Sequence, residues 1–344
     1  MNNKSGTVFF LYDARIPFWL EKGFEKRDFN INLLGINKFI NKPYEHRYQR
    51  IIVLHFNYLK QCLDVIFKSK KGDLIICWLD VTALYLLIIS SIFHTKRKIV
   101  AINIMFNQGS GFVNLIKRKM FHWMLNHDSI YPTVTSSELA KIYTELFQLK
   151  NKQFYLLHDC YGNDVAYRTA ITNNKGYVFC GGSNGRDWST LVKVASLLPD
   201  IPFVIVGPNK NVLGDGYPAN IDFRYDIPYD KFKQLMANCS LLALPLNTEA
   251  PAGLIVMFSA GLLSKAVITT DNVTMKEYIE SEINGVLVKK GDYDGFAEIV
   301  KLLFLDTKRQ EEYGHKLHDK IEELGSPDAY VKQVINIVRQ VNDI

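Results

Sequence analysis

Leu241–Glu277 reads LLALPLNTEAPAGLIVMFSAGLLSKAVITTDNVTMKE, and its order of apolar runs and breakers decides the fold. Leu241 to Leu246 is an apolar run of the kind that forms a strand buried on both faces of a parallel sheet. The polar loop Asn247-Thr248-Glu249 follows, then Ala250-Pro251-Ala252-Gly253, small and stiff, where a helix should begin. That helix is predicted from about Gly253 to Ser264, and a second strand from Ala266 to Thr270, ending at Asp271 and Asn272. A strand, a tight turn and a helix N-terminus make an anion site. The first N–H groups of the helix have no internal partner, and the dipole favours negative charge there. Small residues matter because a bulky Cβ would hold a phosphate or sugar away from those amides. The same residues would also serve an ordinary strand–helix corner with no ligand.

Outward from this stretch the alternation continues. Downstream, Val286-Leu287-Val288 precedes helical stretches at Asp292 to Leu305, Lys308 to Leu324 and Ser326 to Asn342. Upstream, Tyr229 to Asn238 reads as a helix, and Phe203 to Val206 and Ile221 to Tyr225 as strands. Tyr177 to Cys180 is the strand that opens this half, and Gly181-Gly182-Ser183-Asn184-Gly185-Arg186-Asp187-Trp188 leads from it into a helix at Ser189 to Leu198. A glycine-rich turn after a strand, with an arginine before a helix, suits phosphate: glycines let the backbone approach, and a guanidinium forks onto oxygens. Arg186 is therefore the leading candidate for a diphosphate ligand, its competing role being a salt bridge to Asp187 or elsewhere.

The first half alternates in the same way. Strands are predicted at Thr7 to Tyr12, Ile31 to Ile36, Leu74 to Leu79, Lys98 to Phe106, Tyr131 to Ser136 and Phe154 to Leu157. Arg50 to Leu54 reads as a further strand-like piece ahead of an amphipathic helix reaching Lys68. Helices are predicted at Thr82 to Phe93, at Phe112 to His127, and up to Phe147 with Ser136 or Ser137 as its cap. After the first strand, Arg15, Pro17, Trp19 and Gly23 form an aromatic, charged loop able to stack on a sugar ring or to pack on the surface. The class is α/β, with parallel, doubly wound sheets whose ligands lie past the carboxyl ends of the strands. Asp13, Asp80 and the Asn103–Gly111 loop fall at such ends. The polar stretch Asn163 to Lys175 is the linker candidate, which gives domains 1–165 and 166–325 and a last helix over 326–344. His158 would then stand near the interdomain cleft, as a catalytic or substrate-facing group or as a structural histidine.

Size and charge agree with this division. A chain of 344 residues, 48% apolar, suits two ordinary cores. The net charge of +6 is uneven: residues 1–165 carry 22 basic against 13 acidic side chains, and residues 166–344 carry 19 against 22. A basic first half suggests an anionic partner, such as membrane lipid, a phosphate-bearing acceptor or nucleic acid, or simply a solvated surface. The helix FVNLIKRKMFHWMLNH, residues 112–127, is basic and amphipathic and could lie on an anionic membrane surface or pack by its apolar face. Nothing like an RNA-binding motif is visible, so nucleic acid is not expected as a partner. The five cysteines form no C-x-x-C pair, so no structural zinc site is expected, and the pattern reads as reduced and cytoplasmic. No signal peptide precedes the first strand, and Asp80 and Ser90-Ser91 break up the most apolar segment, Ile75 to Phe93, so a membrane span is not expected.

Residues 245–292 resemble the donor-binding segment of GT-B glycosyltransferases of the family-4, or glycosyl transferases group 1, type. That segment reads P-[ST]-x-x-E-G-F-G-L-x-x-x-E-A-M-A-x-G-x-P-V-[IV]-A-[ST]-x-x-G-G-x-x-E. Pro245, Glu249, Gly253-Leu254, Lys265-Ala266-Val267-Ile268 and Glu277 match it in order, followed by Asn284-Gly285 and Gly291-Asp292. Two departures stand out. The second acid of the pair falls on Ser259, after an apparent one-residue insertion, and the late Gly-Gly falls on Val273-Thr274. The A-P-A-G-L helix start is most similar to capsule and cell-surface polysaccharide glycosyltransferases.

The resemblance implies two Rossmann-like domains facing a cleft, and sugar transfer from a nucleotide-diphosphate-sugar to a glycan acceptor, on a lipid diphosphate carrier. It implies retention at the anomeric carbon, no metal and no further cofactor. Gly182, Arg186, Ala250, Pro251, Ala252, Gly253 and Leu254 would hold the diphosphate side of the donor, with Ser259, Glu277 and Asp226 at the positions that face its nucleotide. Glu249 would orient the donor sugar, and the base for the acceptor would come from Asp13, Asp80 or His158. The histidine that many members place after the fourth strand is missing here, where Asn103 and Ile104 stand. Asn103, Asn107 and Gln108 can hydrogen-bond but not exchange protons. With Ser259 in place of an acid, the competing reading is a catalytically silent, sugar-nucleotide-binding or regulatory GT-B protein.

Overall fold

A computed structural model describes residues 7–14, 16–36, 47–106, 109, 111–149, 153–162, 174–249 and 251–343. The chain divides into two units, Met1–His158 with Tyr330–Ile344, and Asp159–Ala329. Each is built on a six-stranded sheet in which the described pairings are parallel.

In the first unit, β1 (Val8–Tyr12), β2 (Ile31–Gly35), β3 (Leu74–Cys77), β4 (Lys98–Ala101), β5 (Ile130–Val134) and β6 (Tyr155–Leu156) lie in the order β2-β1-β3-β4-β5-β6. The helices are α1 (Phe18–Glu25), α2 (Arg47–Lys68), α3 (Asp80–Ile92), α4 (Phe112–Asn126) and α5 (Ser137–Leu146). Ser136 caps α5, accepting the Leu139 N–H at 3.2 Å. Two expectations give way. The strand-like piece at 50–54 is helical, because Tyr58, Cys62, Val65 and Ile66 bury one face at helical spacing and carry the preceding turns with them. The loop expected around Trp19 is largely α1: Leu20 and Phe24 are buried, and the Trp19 ring meets Tyr330 edge-on at 5.8 Å. Arg15 and most of the 163–175 linker lie outside the described residues.

In the second unit, β7 (Val178–Gly181), β8 (Phe203–Gly207), β9 (Ile221–Tyr225), β10 (Leu241–Leu244), β11 (Ala266–Thr270) and β12 (Val286–Val288) lie in the order β12-β11-β10-β7-β8-β9. The helices are α6 (Trp188–Leu197), α7 (Tyr229–Ala237), α8 (Leu254–Leu262), α9 (Tyr293–Leu305) and α10 (Thr307–Gly325), and α11 (Pro327–Asp343) runs on into the first unit. All four residues of β10 are buried, as a continuous apolar run between two parallel neighbours requires. In α8 every residue but Ile255 is buried, so its position is fixed by packing on all sides. The five cysteines form no disulfide, and burial pushes the Cys62, Cys180 and Cys239 thiols up to about 12, as inert core residues.

Candidate functional site

The order of the second sheet reverses between β7 and β10: the chain leaves β7 toward β8 on one side and leaves β10 toward β11 on the other. Such a switch point opens a crevice past the carboxyl ends of the two strands. Its walls are the two segments singled out in the sequence, 182–187 and 245–253. They are laced together: the Asp187 N–H donates to Pro245 O at 2.8 Å and the Asn247 N–H to Gly185 O at 3.0 Å, while Arg186 and Leu246 form an antiparallel bridge.

Arg186 lies inside this seam with only 4% of its surface exposed. Its Nε donates to Gly181 O at 2.9 Å and one Nη to Asn184 O at 3.1 Å. A guanidinium has five N–H groups; the remaining ones meet no acceptor among the described residues, and no carboxylate pairs with the charge. Burial lowers its pKa, with only the Cys180 sulfur nearby to oppose that. Buried cations are ordinarily paired. The expected alternative, an ion pair with Asp187, is absent, because the Asp187 carboxylate caps α6 and accepts from Thr190 N, Thr190 Oγ1 and Ser189 Oγ.

Two glycines flank the guanidinium. Gly182 has φ +111°, and a Cβ there would come within 2.6 Å of Nη2; Gly253 has φ +80°, and a Cβ there would lie 3.2 Å from Nη1. Gly253 is also the N-cap of α8 and offers no side-chain cap. The N–H groups of Leu254, Ile255 and Val256 accordingly make no hydrogen bond among the described residues. A bare helix end and an unpaired guanidinium thus share one corner, and both favour an anion.

The neighbouring positions are distributed around that corner. Ala252 is buried, Pro251 half-buried and Glu249 exposed at the lip; Ala250 lies outside the described residues. Asp226, exposed and left-handed at φ +50°, joins Gly182, Ser183, Pro208, Ile227 and Tyr229 around a cavity of about 320 Å³. Glu277, half-buried, ends a 3₁₀ turn at Met275–Glu277, whose Met275 Cε lies 3.1 Å from the Cβ position of Gly253. Asn272, noted in the sequence only as a strand end, ties this turn to the loop: its side chain donates to Thr248 O at 3.1 Å and accepts from the Thr274 and Met275 N–H groups. An asparagine just past a strand is the available signal for such a turn.

Ser259 and its neighbour Phe258 both lie within α8. Phe258 is buried edge-on against Tyr278, with ring centroids 5.1 Å apart. Ser259 is buried too, and its hydroxyl donates to Ile255 O of its own helix at 2.7 Å.

The remaining candidates belong to the first unit, where the sheet order reverses between β1 and β3. Asp13 follows β1 and Asp80 opens α3 after β3, and burial pushes both carboxyls up. Asp80 accepts from the Val81 N–H at 2.6 Å. His158 is buried beside α11: its main-chain N–H donates to Gln333 Oε1 at 3.0 Å, and its Nδ1 lies 3.1 Å from the same oxygen. Asn103 is left-handed at φ +47°, with its N–H donating to Thr133 Oγ1; Asn107 and Gln108 lie outside the described residues.

Residues 187–318 match the family model described as Glycosyl transferases group 1. Sucrose-phosphate synthase from Thermosynechococcus elongatus superposes with a TM-score of 0.72 at 13% identity, covering 97% of this chain and 99% of that one. HepE from Anabaena, in complex with UDP and glucose, gives 0.65 at 14% identity, with 97% and 99% covered. A mutant of TarM from S. aureus, in complex with fondaparinux, alpha-GlcNAc-glycerol and UDP, gives 0.56 at 14% identity, with 81% and 58% covered. At these identities the likeness is one of fold, the two-domain GT-B architecture. No curated protein sequence matches. The family match marks the chain as a glycosyltransferase, and the fold adds the architecture alone. Within this glycosyltransferase, Glu249, Gly253, Leu254 and Glu277 fall inside the matched segment, and Gly182 and Arg186 just ahead of it.

Proposed function

We propose that this glycosyltransferase moves a sugar from a nucleotide-diphosphate-sugar to a lipid-linked surface glycan, with the donor diphosphate at the β7–β10 switch point. The observation that carries this reading is Arg186: a cation buried in the seam, with N–H groups and a charge that find no acceptor or carboxylate among the described residues, and the bare start of α8 beside it. A diphosphate supplies what is missing. As the bond between the anomeric carbon and the β-phosphate oxygen breaks, negative charge grows on that phosphate. The guanidinium and the amides of Leu254, Ile255 and Val256 stabilise it as fixed dipoles and charge that need no reorganisation. That field is also the ground for reading the reaction as metal-independent.

Glu249, at the lip of the seam, orients the donor sugar through its hydroxyls. The cavity between Gly182 and Asp226 has the size for a nucleoside, with backbone groups of the Asp226–Ile227 turn against the base. UDP in the HepE and TarM structures supports a uridine nucleotide, and the saccharides in the TarM structure support a glycan acceptor. Retention is carried over from the family resemblance, and Asp13 and His158 are the candidate acceptor-side groups. The test is calorimetric titration with UDP and UDP-sugars, followed by product analysis with saccharide acceptors. Binding and transfer that persist in EDTA agree with the proposal; a folded protein that binds no nucleoside diphosphate refutes it.

A further inference from the structure

In the second unit the exposed aromatic side chains among the described residues are Tyr217, Tyr225 and Tyr229, and all three stand on or beside β9 and the turn into α7. Tyr217 and Tyr225 lean on Phe223, with ring centroids 5.9 and 6.1 Å from it. Tyr229 instead lines the cavity of about 320 Å³ that it shares with Gly182, Pro208 and Asp226. Its ring is 54% exposed, so it forgoes much of the burial that an aromatic side chain gains in a core. That apolar area is kept on the cavity wall.

The local chain fixes where the ring stands. Asp226 turns left-handed at φ +50°, and Pro228, at φ −57° and ψ 145°, is the N-cap of α7, so Tyr229 opens the helix. One turn on, Lys233 sets its Nζ 4.9 Å from the Tyr229 ring centroid. That ammonium is itself held: it pairs with Asp230 Oδ1 at 2.8 Å, and the Lys233 side chain is only 17% exposed. Phe232, which also lines the cavity, is fixed edge-on against Phe179 at 5.4 Å, and a Cβ at Gly181 would come within 2.5 Å of its ring. The wall is thus a preset surface, and a ligand meeting it orders little. An ammonium over the ring also draws down the negative charge of the π-face. This eases stacking with the π-electrons of a nucleobase and weakens C–H contacts to a sugar.

We infer that Tyr229 is the stacking residue for the nucleobase of the donor, with Lys233 as a positioning residue that holds its ring. The inference rests on the donor site proposed above and adds to it the side chain that meets the base. Every base has a π-face, so this contact favours a nucleobase without choosing among base edges.

The test is calorimetric titration of the full chain with UDP, together with NMR of the uracil H5 and H6 protons. Tyr229→Ala should weaken UDP binding by about 5- to 150-fold, the loss of one base–aromatic stack. Tyr229→Phe, which keeps the ring, should stay within about threefold of the parent. H5 and H6 should move upfield on binding to the parent, as the ring current of a stacked tyrosine requires, and lose most of that shift with Tyr229→Ala. Lys233→Met should cost about two- to fivefold and reduce the shift, and Lys233→Arg should restore both. Tyr229 is exposed, and the shift measured on the parent needs no variant to fold. A parent that binds no UDP refutes the donor site and this inference with it. A parent that binds UDP with Arg186 but shows no upfield shift, or loses nothing with Tyr229→Ala, leaves the donor site standing and overturns the stacking. So does a loss with Tyr229→Phe as large as with Tyr229→Ala, which would mark the hydroxyl as the contact.

Discussion

Replacing Arg186 separates its two conceivable roles, anion ligand and structural strut. In the unliganded protein Arg186→Ala has opposing effects. It removes two hydrogen bonds, costing about 1–3 kcal/mol for the buried Gly181 carbonyl and less for that of Asn184, which is exposed to water. It also removes an unpaired buried cation, whose desolvation penalty is several kcal/mol. The net change in unliganded stability should therefore be small, within about 2 kcal/mol, or a few degrees in Tm for a unit of this size. Donor binding has no such compensation. Losing one or two charge-assisted hydrogen bonds at about 1.5–3 kcal/mol each predicts UDP affinity lower by roughly 10- to 20,000-fold. Arg186→Lys keeps the charge but not the fork, and should fall between. Calorimetric titration with UDP, alongside urea unfolding without it, reads both quantities. If Arg186→Ala binds UDP within about threefold of the parent while losing more than about 3 kcal/mol of stability, the residue is a strut and the donor assignment fails.

Gly182→Ala places a Cβ 2.6 Å from Nη2 in a left-handed backbone, so it should weaken UDP binding while costing about 1–2 kcal/mol of stability by urea unfolding. Gly253→Ala, at φ +80° with Met275 Cε and Nη1 close by, should act in the same direction in the same two measurements. Gly314→Ala would drive a Cβ into the Ser264 carbonyl where α10 meets the end of α8; overpacking of about 2–3 kcal/mol should lower Tm by several degrees without lowering UDP affinity in the folded protein. Partial burial pushes the Asp187 carboxyl up, but hydrogen bonds from the Thr190 N–H and the Ser189 and Thr190 hydroxyls outweigh it, and the nearby Lys290 adds to them, so its pKa is lowered on balance. Because the folded value is depressed, this contribution is complete above the unfolded aspartate pKa of about 4 and is lost as pH falls through the folded value. Asp187→Ala should cost about 1 kcal/mol at neutral pH and progressively less in acid, as measured by unfolding across pH.

Much of the second unit was legible in the chain itself. β10 is an unbroken apolar run, and an element buried on both faces has few other ways to be written. The seam residues Gly182, Arg186 and Gly253 were legible for a related reason, since backbone approach and charge restrict the residue types that serve. Loop–helix distinctions near α1 and α2 were not, because a short apolar stretch satisfies strand and helix equally until its packing partners select one period.

Alternation of strand and helix, the uneven charge and the phosphate-suited glycines follow from local chemistry, so the sequence by itself determined an α/β glycosyltransferase fold with an anion corner. Whether Arg186 pairs with Asp187 or waits unpaired was decided only in three dimensions, by the capping of α6 and the seam with Pro245 and Leu246. The standing of Tyr229 on a cavity wall was decided there as well. A single tyrosine reads as core or as surface until the turn through Asp226 and Pro228 sets where its ring stands.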